Sequence, residues 1–185
     1  MSDLRAPRVA DLGCGPGVST FELARRLPEA RLIGLDIAPR MLHEAQRRRR
    51  TAGLSRACIS WLQADAARLP LGDASLDACT GHSFLYLVAD RAAVLSETRR
   101  VLRPGGRLVL MEPNDRPASV ARMLGLGRDP RHLVSVGLWR PFSRLHGRFT
   151  TTSLPAILEA GGFVNAGAEE TFGGLGILAW AEAPD

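Results

Sequence analysis

The chain has no lysine. All 24 of its basic residues are arginine, against 19 acidic residues in 185, for a formal charge of +5. A phosphate loop of the Walker type needs a lysine at its end, so that class of nucleotide site is excluded. Aromatic side chains are scarce too, at 5% of residues with a single tyrosine. Little is left with which to stack successive bases, which argues against a nucleic-acid partner despite the charge. The all-arginine bias reads as a compositional habit of the source genome. Only "RRRR", Arg47 to Arg50, forms a block, and it reads as the solvated end of a helix favoured by the helix dipole. No apolar run approaches the roughly 18 to 20 residues that span a bilayer, and the start lacks the basic-then-apolar order of a signal peptide. A protein of the cytoplasm without a transmembrane segment is expected. The three cysteines, Cys14, Cys58 and Cys79, are odd in number and widely spaced. They predict reduced thiols, with neither a disulfide set nor a metal site.

What is present is ordinary globular material, 45% hydrophobic and 23% charged, of a length suited to one domain over residues 1–185. Short apolar runs alternate with helical patterns, which predicts a parallel sheet covered by helices. Strands are expected at 8–12, 31–35, 59–63, 76–80 and 107–112. Between them fall helices at 19–27, from Pro39 to about Thr51, and from a cap at Asp90 to Leu102. "RPGG", Arg103 to Gly106, reads as a tight reversal. The rhythm then breaks, and residues 113–149 read as an insertion within the single domain. A helix at 154–160, a Gly161-Gly162 stop and two strands near 163–169 and 176–181 close the chain. The short connection makes those two strands antiparallel partners.

Three strand ends carry chemistry. "VADLGCGPGVST" places Gly13, Gly15 and Gly17 between a strand and a helix, where bare backbone and free N–H groups can approach a ligand. The spacing is G-x-G-x-G. The dinucleotide fingerprint wants its third glycine one position later, where Val18 stands, so pyrophosphate is disfavoured. Asp36 in "LIGLDIAP" ends the second strand and can accept from both hydroxyls of a ribose. Asp65 in "LQADAARLP" follows the third strand and could accept from an adenine amino group, while the Ala66 N–H donates to the ring. Together the three suit an adenosine without phosphates. Each has a plainer reading as well: a tight turn, a helix cap ahead of Pro39, a loop acid. Asp11 is balanced between touching ligand and orienting the loop.

With these motifs the sequence resembles the class I S-adenosylmethionine-dependent methyltransferases, in particular the small-molecule group (type 11) that includes the quinone-biosynthesis methyltransferases. "VADLGCGPG", "GLDIAP", "ADAARLPLGDASLDA" and "ETRRVLRPGGRLVLMEP" carry the resemblance. It implies an α/β Rossmann-like three-layer sandwich with a seven-stranded, mostly parallel sheet whose last strand is antiparallel. It also implies S-adenosyl-L-methionine as cofactor: Asp11, Gly13, Cys14, Gly15 and Gly17 at its methionine part, Asp36 and Ile37 at the ribose, Asp65 and Ala66 at the adenine. Gly81 and His82, in the loop after the fourth strand, would lie near the sulfonium.

Methyl transfer from a sulfonium needs mainly alignment, with reacting atoms about 3 to 3.5 Å apart, and exclusion of water. A base is required only where the acceptor must lose a proton. His82 is the first candidate, with Tyr86, Glu112 and His146 behind it; His82 could instead merely contact the cofactor, and His146 could be a surface histidine. The expected acceptor is a small hydrophobic or acidic molecule. Met111, Met123, Leu124, Leu126, Leu138, Trp139, Phe142 and Phe149 could wall its site, and Arg116, Arg122, Arg140 or Arg144 could meet an acidic group. Eight residues precede the glycine motif "VADLGCGPG", where the family usually has a few dozen that cover the site. A partner subunit or second copy closing the pocket is one expectation that follows, and a binding module with weak turnover is another.

Overall fold

A computed structural model describes residues 6–53, 58–116 and 143–185. The strands are β1 (Arg8–Leu12), β2 (Arg31–Asp36), β3 (Cys58–Gln63), β4 (Leu76–His82), β5 (Leu102–Pro113), β6 (Val164–Thr171) and β7 (Gly176–Glu182). They form one seven-stranded sheet in the order β3-β2-β1-β4-β5-β7-β6. Pairs among β1 to β5 are parallel, and β7 runs antiparallel to both β5 and β6. The expected α/β architecture with an antiparallel last strand is present.

Among the described residues, the helices of eight or more residues are α1 (Val18–Arg26), α2 (Pro39–Arg49), α3 (Arg91–Val101) and α4 (Ser153–Ala160). Two of them start at signals that the sequence carries. Pro39 stands at the first helical position of α2. Asp90 caps α3, its carboxylate accepting from the Ala93 N–H at 2.9 Å. The arginine block closes α2 as a solvated end: Arg47 and Arg48 pair with Glu44 at 2.8 and 2.7 Å, and Arg49 donates to the Ile59 carbonyl. Among the described residues no helix is long and apolar enough to cross a membrane.

"RPGG" departs from its expectation. It lies inside β5 as an irregularity, since Leu76 pairs with Leu102 and Ala78 with Arg107. Gly105 takes φ +68, a left-handed value, and its N–H donates to the Ala183 carbonyl, so the chain swerves without reversing. The fourth strand also runs two residues further than expected, which places Gly81 and His82 in the strand end.

Strand alternation sends the core to both faces. On one face, Leu12, Leu35, Cys79, Leu108, Leu110, Ile177 and Ala179 pack with Val94 and Leu95 of α3 and Leu154 and Leu158 of α4. On the other, a smaller cluster joins Val9, Leu32 and Ile59 to Phe21 and Ala24 of α1. The order of strands reverses its direction of growth between β1 and β4. At such a switch point the C-terminal strand ends open a crevice.

Candidate functional site

The glycine turn leaves β1 at this crevice. Gly13, Gly15 and Gly17 have φ +63, +52 and +83. Their surroundings differ. A Cβ on Gly17 would meet Trp61 at 2.8 Å and Phe21 at 3.1 Å, and one on Gly13 would run into the Phe84 ring, whereas one on Gly15 would meet nothing within 4 Å. Gly13 and Gly17 are therefore packing glycines, and Gly15 presents backbone to open space.

Asp36, at the end of β2, is tied to that turn. Its Oδ2 accepts from the Gly15 N–H at 2.8 Å and its Oδ1 from the Ala38 N–H at 2.8 Å. Ile37 beside it is 67% exposed, a side chain with no core to fill. Past β3, Asp65 is exposed and closes a local turn, its Oδ1 accepting from the Ala67 N–H at 2.9 Å. The neighbouring Ala66 is half-buried.

Asp11 is buried, with 2% of its surface exposed. Oδ2 accepts from Ser19 Oγ at 2.7 Å and Thr20 Oγ1 at 2.6 Å, and Oδ1 from Thr80 Oγ1 at 3.2 Å. Burial pushes its pKa up, opposed by these three hydroxyls. His82 ends β4 with its ring partly open to solvent. The protein around it pushes its pKa down, against the opposing pull of the Asp11 carboxylate, so the neutral imidazole is favoured. Cys14 is buried, and its thiol is pushed up beyond the range in which it would ionise.

A cavity of about 640 Å³ opens in front of these groups. Asp11, Gly13, Cys14, Gly15, Gly81 and His82 line it, as do Thr80, Val109, Met111 and Leu178 from the sheet and Val18, Ser19, Leu23 and Arg26 from α1. Asp36, Ile37, Asp65 and Ala66 lie at the adjoining strand ends, outside its walls; Gly17 faces the interior.

Other candidates are placed elsewhere. Glu112 is fully buried on the opposite face of the sheet, and its carboxylate is taken up by the backbone N–H groups of Phe84, Leu85 and Tyr86. It cannot reach the cavity as a base. Tyr86 is buried in the core cluster, and His146 is exposed beyond the cavity walls. Of the expected acceptor walls, Met111 lines the cavity, while Phe149 is 2% exposed and packs under the Arg91 guanidinium. Arg116 pairs with Glu170 at 2.6 Å, and Arg144 is exposed. Met123, Leu124, Leu126, Leu138, Trp139, Phe142, Arg122 and Arg140 lie outside the described residues. Sequence reasoning missed the Ser19, Thr20 and Thr80 hydroxyls, Phe84 and Leu178. The first two had a signal, adjacent hydroxyls at the start of the helix that follows the acid; Leu178 depends on strand register and had none.

A parallel sheet with a glycine turn at its switch point, an acid at the next strand end and a cavity between α1 and β4 defines a nucleotide-crevice fold with an antiparallel final strand. The family model described as "Methyltransferase domain" matches residues 10–110, more than half of the chain, and the chain belongs to that family. It is 43% identical over 105 residues to a demethylmenaquinone methyltransferase of Deinococcus radiodurans, covering 57% of this chain and 42% of the relative. It is 42% identical over 113 residues to a trans-aconitate 2-methyltransferase of Methylobacterium nodulans, covering 60% and 41%. The chain thus spans less than half the length of these relatives. A crystal structure of a SAM dependent methyltransferase from Aquifex aeolicus superposes with a TM-score of 0.73 over 98% of this chain and 85% of that one, at 18% identity, which shows a shared fold.

Proposed function

We propose that this chain is the cofactor-binding core of an S-adenosyl-L-methionine-dependent methyltransferase acting on a small molecule. The observation that carries the reading is the join between the first two strand ends: the Gly15 N–H held by Asp36, with open space where a side chain at Gly15 would stand. Each Asp36 oxygen accepts one amide and keeps lone pairs for hydroxyls of a ribose. The Gly15 N–H, which a pyrophosphate would need, is already taken by the Asp36 carboxylate, so the turn fits an adenosine that carries no phosphates.

S-adenosyl-L-methionine, when bound, supplies an electrophilic methyl group. In this reading the Gly13–Gly17 turn, with Cys14, seats the methionine portion, Asp36 and Ile37 hold the ribose, and Asp65 and Ala66 face the adenine. Asp11 orients the turn through Ser19 and Thr20. Gly81 gives the β4 end a close approach, and His82 takes the acceptor's proton in its neutral form. The half-buried Val109, Met111 and Leu178 favour an acceptor with an apolar body. The same half-buried surface supports a second reading, a cofactor-binding module completed by a further protein surface.

Calorimetric titration with S-adenosylhomocysteine and with NAD tests the ligand. Binding of the first, weakened about tenfold or more in Asp36→Ala through loss of charge-assisted hydrogen bonds, is expected. Tight NAD binding with no response to S-adenosylhomocysteine would sink the proposal. An acceptor screen for S-adenosylhomocysteine release then separates enzyme from module. In the enzyme, His82→Asn lowers turnover and leaves cofactor affinity in place.

A further inference from the structure

Glu112 is the largest charged group that the described core encloses completely, with 0% of its surface exposed. Its neighbours on both sides of the strand direction are core residues, Leu108 and Leu110 behind it and Ile177 across the β5–β7 pair. A carboxylate placed there is unfavourable unless it is fully hydrogen-bonded. It is: Oε1 accepts from the Phe84 N–H at 3.0 Å and the Leu85 N–H at 2.7 Å, and Oε2 from the Tyr86 N–H at 3.3 Å. Three consecutive amides of one turn converge on one side chain from another strand.

That turn leads back to the glycine motif. Ser83, immediately before it, has φ +53, left-handed for a residue with a side chain, and its N–H donates to the Met111 carbonyl at 2.7 Å. Phe84, the first residue gripped, lays its ring over Gly13, where it fills the place of a Cβ, and lies 3.2 Å from a Cβ built on Gly81. Arg91 closes the arrangement from α3, donating to the Leu85 carbonyl at 3.3 Å. Glu112 thus acts at a distance from the cavity, through Phe84.

We propose that Glu112 is a positioning residue for the cofactor site: its carboxylate clamps the 84–86 turn and thereby holds the Phe84 ring against Gly13 and Gly81. The proposal rests on the reading of the glycine turn as the cofactor seat. The clamp itself is a separate, measurable thing.

Hydrogen exchange at the Phe84, Leu85 and Tyr86 amides reads the clamp directly. In Glu112→Gln, which keeps one carbonyl oxygen, exchange is expected to quicken about tenfold, and in Glu112→Ala about a hundredfold, from the loss of hydrogen bonds to the carboxyl oxygens. Leu158→Ala, destabilised in the core away from the turn, serves as the control for a general loss of stability. Should Glu112→Ala not fold, the Gln variant and Phe84→Leu carry the test. S-adenosylhomocysteine affinity is expected to fall about tenfold in Glu112→Gln and in Phe84→Leu, and no further in the double variant, because both act through one contact. Acceptor KM stays at the wild-type value. Unchanged exchange in the Glu112 variants overturns the clamp. Altered exchange with unaltered affinity, or additive losses in the double variant, overturns the positioning role. If the wild-type chain binds no S-adenosylhomocysteine, the cofactor reading fails and takes the positioning role with it, while the exchange result still decides the clamp.

Discussion

On the face of the sheet that carries α1 and α2, the β3-β2-β1 half and the β4-β5-β7 half are treated differently. In the first half, Val9, Leu32 and Ile59 are buried under Phe21 and Ala24, and Trp61 stands edge-on to Phe21 with ring centroids 5.7 Å apart. In the second half, Thr80, Val109, Met111 and Leu178 stay half-buried and Trp180 is 40% exposed. The opposite face shows no such division, since α3 and α4 pack across Leu108, Leu110, Ile177 and Ala179. Stability is concentrated where helices cover strands, and the crevice opens where cover by described residues stops. An apolar surface left in this state beside an exposed backbone turn is what a binding site requires and a core does not.

Core substitutions on the fully covered face should show the largest effect. Leu158→Ala, with its side chain fully buried, is expected to lose about 2–5 kcal/mol in denaturant unfolding, and a loss as small as that of a surface site would break the contrast. Gly17→Ala comes next, since φ +83 and Trp61 at 2.8 Å both oppose a methyl group. About 1–3 kcal/mol is expected from a strained residue in a left-handed position. Leu178→Ala, on the half-covered side, should cost under about 1.5 kcal/mol, because its exposed surface already forgoes part of the burial gain. Its loss should appear in the acceptor screen instead. Smallest of all, Arg47→Ala at the solvated end of α2 should leave the melting temperature unchanged within error.

The pH dependence sharpens the same contrast from inside the covered face. Burial raises Glu112 to about 7 from the usual 4.5, opposed by the hydrogen bonds from the Leu85, Phe84 and Tyr86 N–H groups and, least, by the Arg91 charge. Ionising it is harder in the folded chain than in the unfolded one. Its contribution is therefore fully favourable below about pH 4.5 and is lost as the pH climbs to about 7. Glu112→Gln carries no such group. The melting temperature of wild type minus that of Glu112→Gln should fall between pH 5 and 7.5, and a flat difference would show that the carboxylate does not titrate there.

Element types and order could be read from the chain because two helices carry their own start signals, Pro39 and Asp90, the others show helical spacing of apolar residues, and the strands are short, largely apolar runs. The glycine turn and Asp36 were legible for a related reason: three glycines between a strand and a helix, and an acid closing the next strand, are local patterns, and the structure joins them through the Gly15 N–H. Less legible were features set by contacts between distant segments. "RPGG" has the composition of a reversal, yet pairing with β4 and the Ala183 carbonyl keeps it in the strand as a bulge. Glu112 sits at a strand end like Asp36, but one residue of alternation turns it to the other face. Nothing local to "LMEP" reveals that three amides from the 84–86 turn are waiting there. His82 was placed at the crevice by its position after the fourth strand, and its down-shifted pKa depends on walls that only the folded sheet supplies.

Trp61 gives this architecture an optical consequence. Its indole fills the space left by Gly34 and Gly17, at 2.5 and 2.8 Å from where their Cβ atoms would be, and its buried Nε1 has no hydrogen-bond partner. An indole in that setting emits towards the blue and resists quenching by iodide. It stands directly behind the glycine turn, half-buried against Gly34 and Phe21. Any loosening of the turn would admit water to the ring and shift its emission to longer wavelength, a change that can be read once the chain's other two indoles, Trp139 and Trp180, are replaced by Phe.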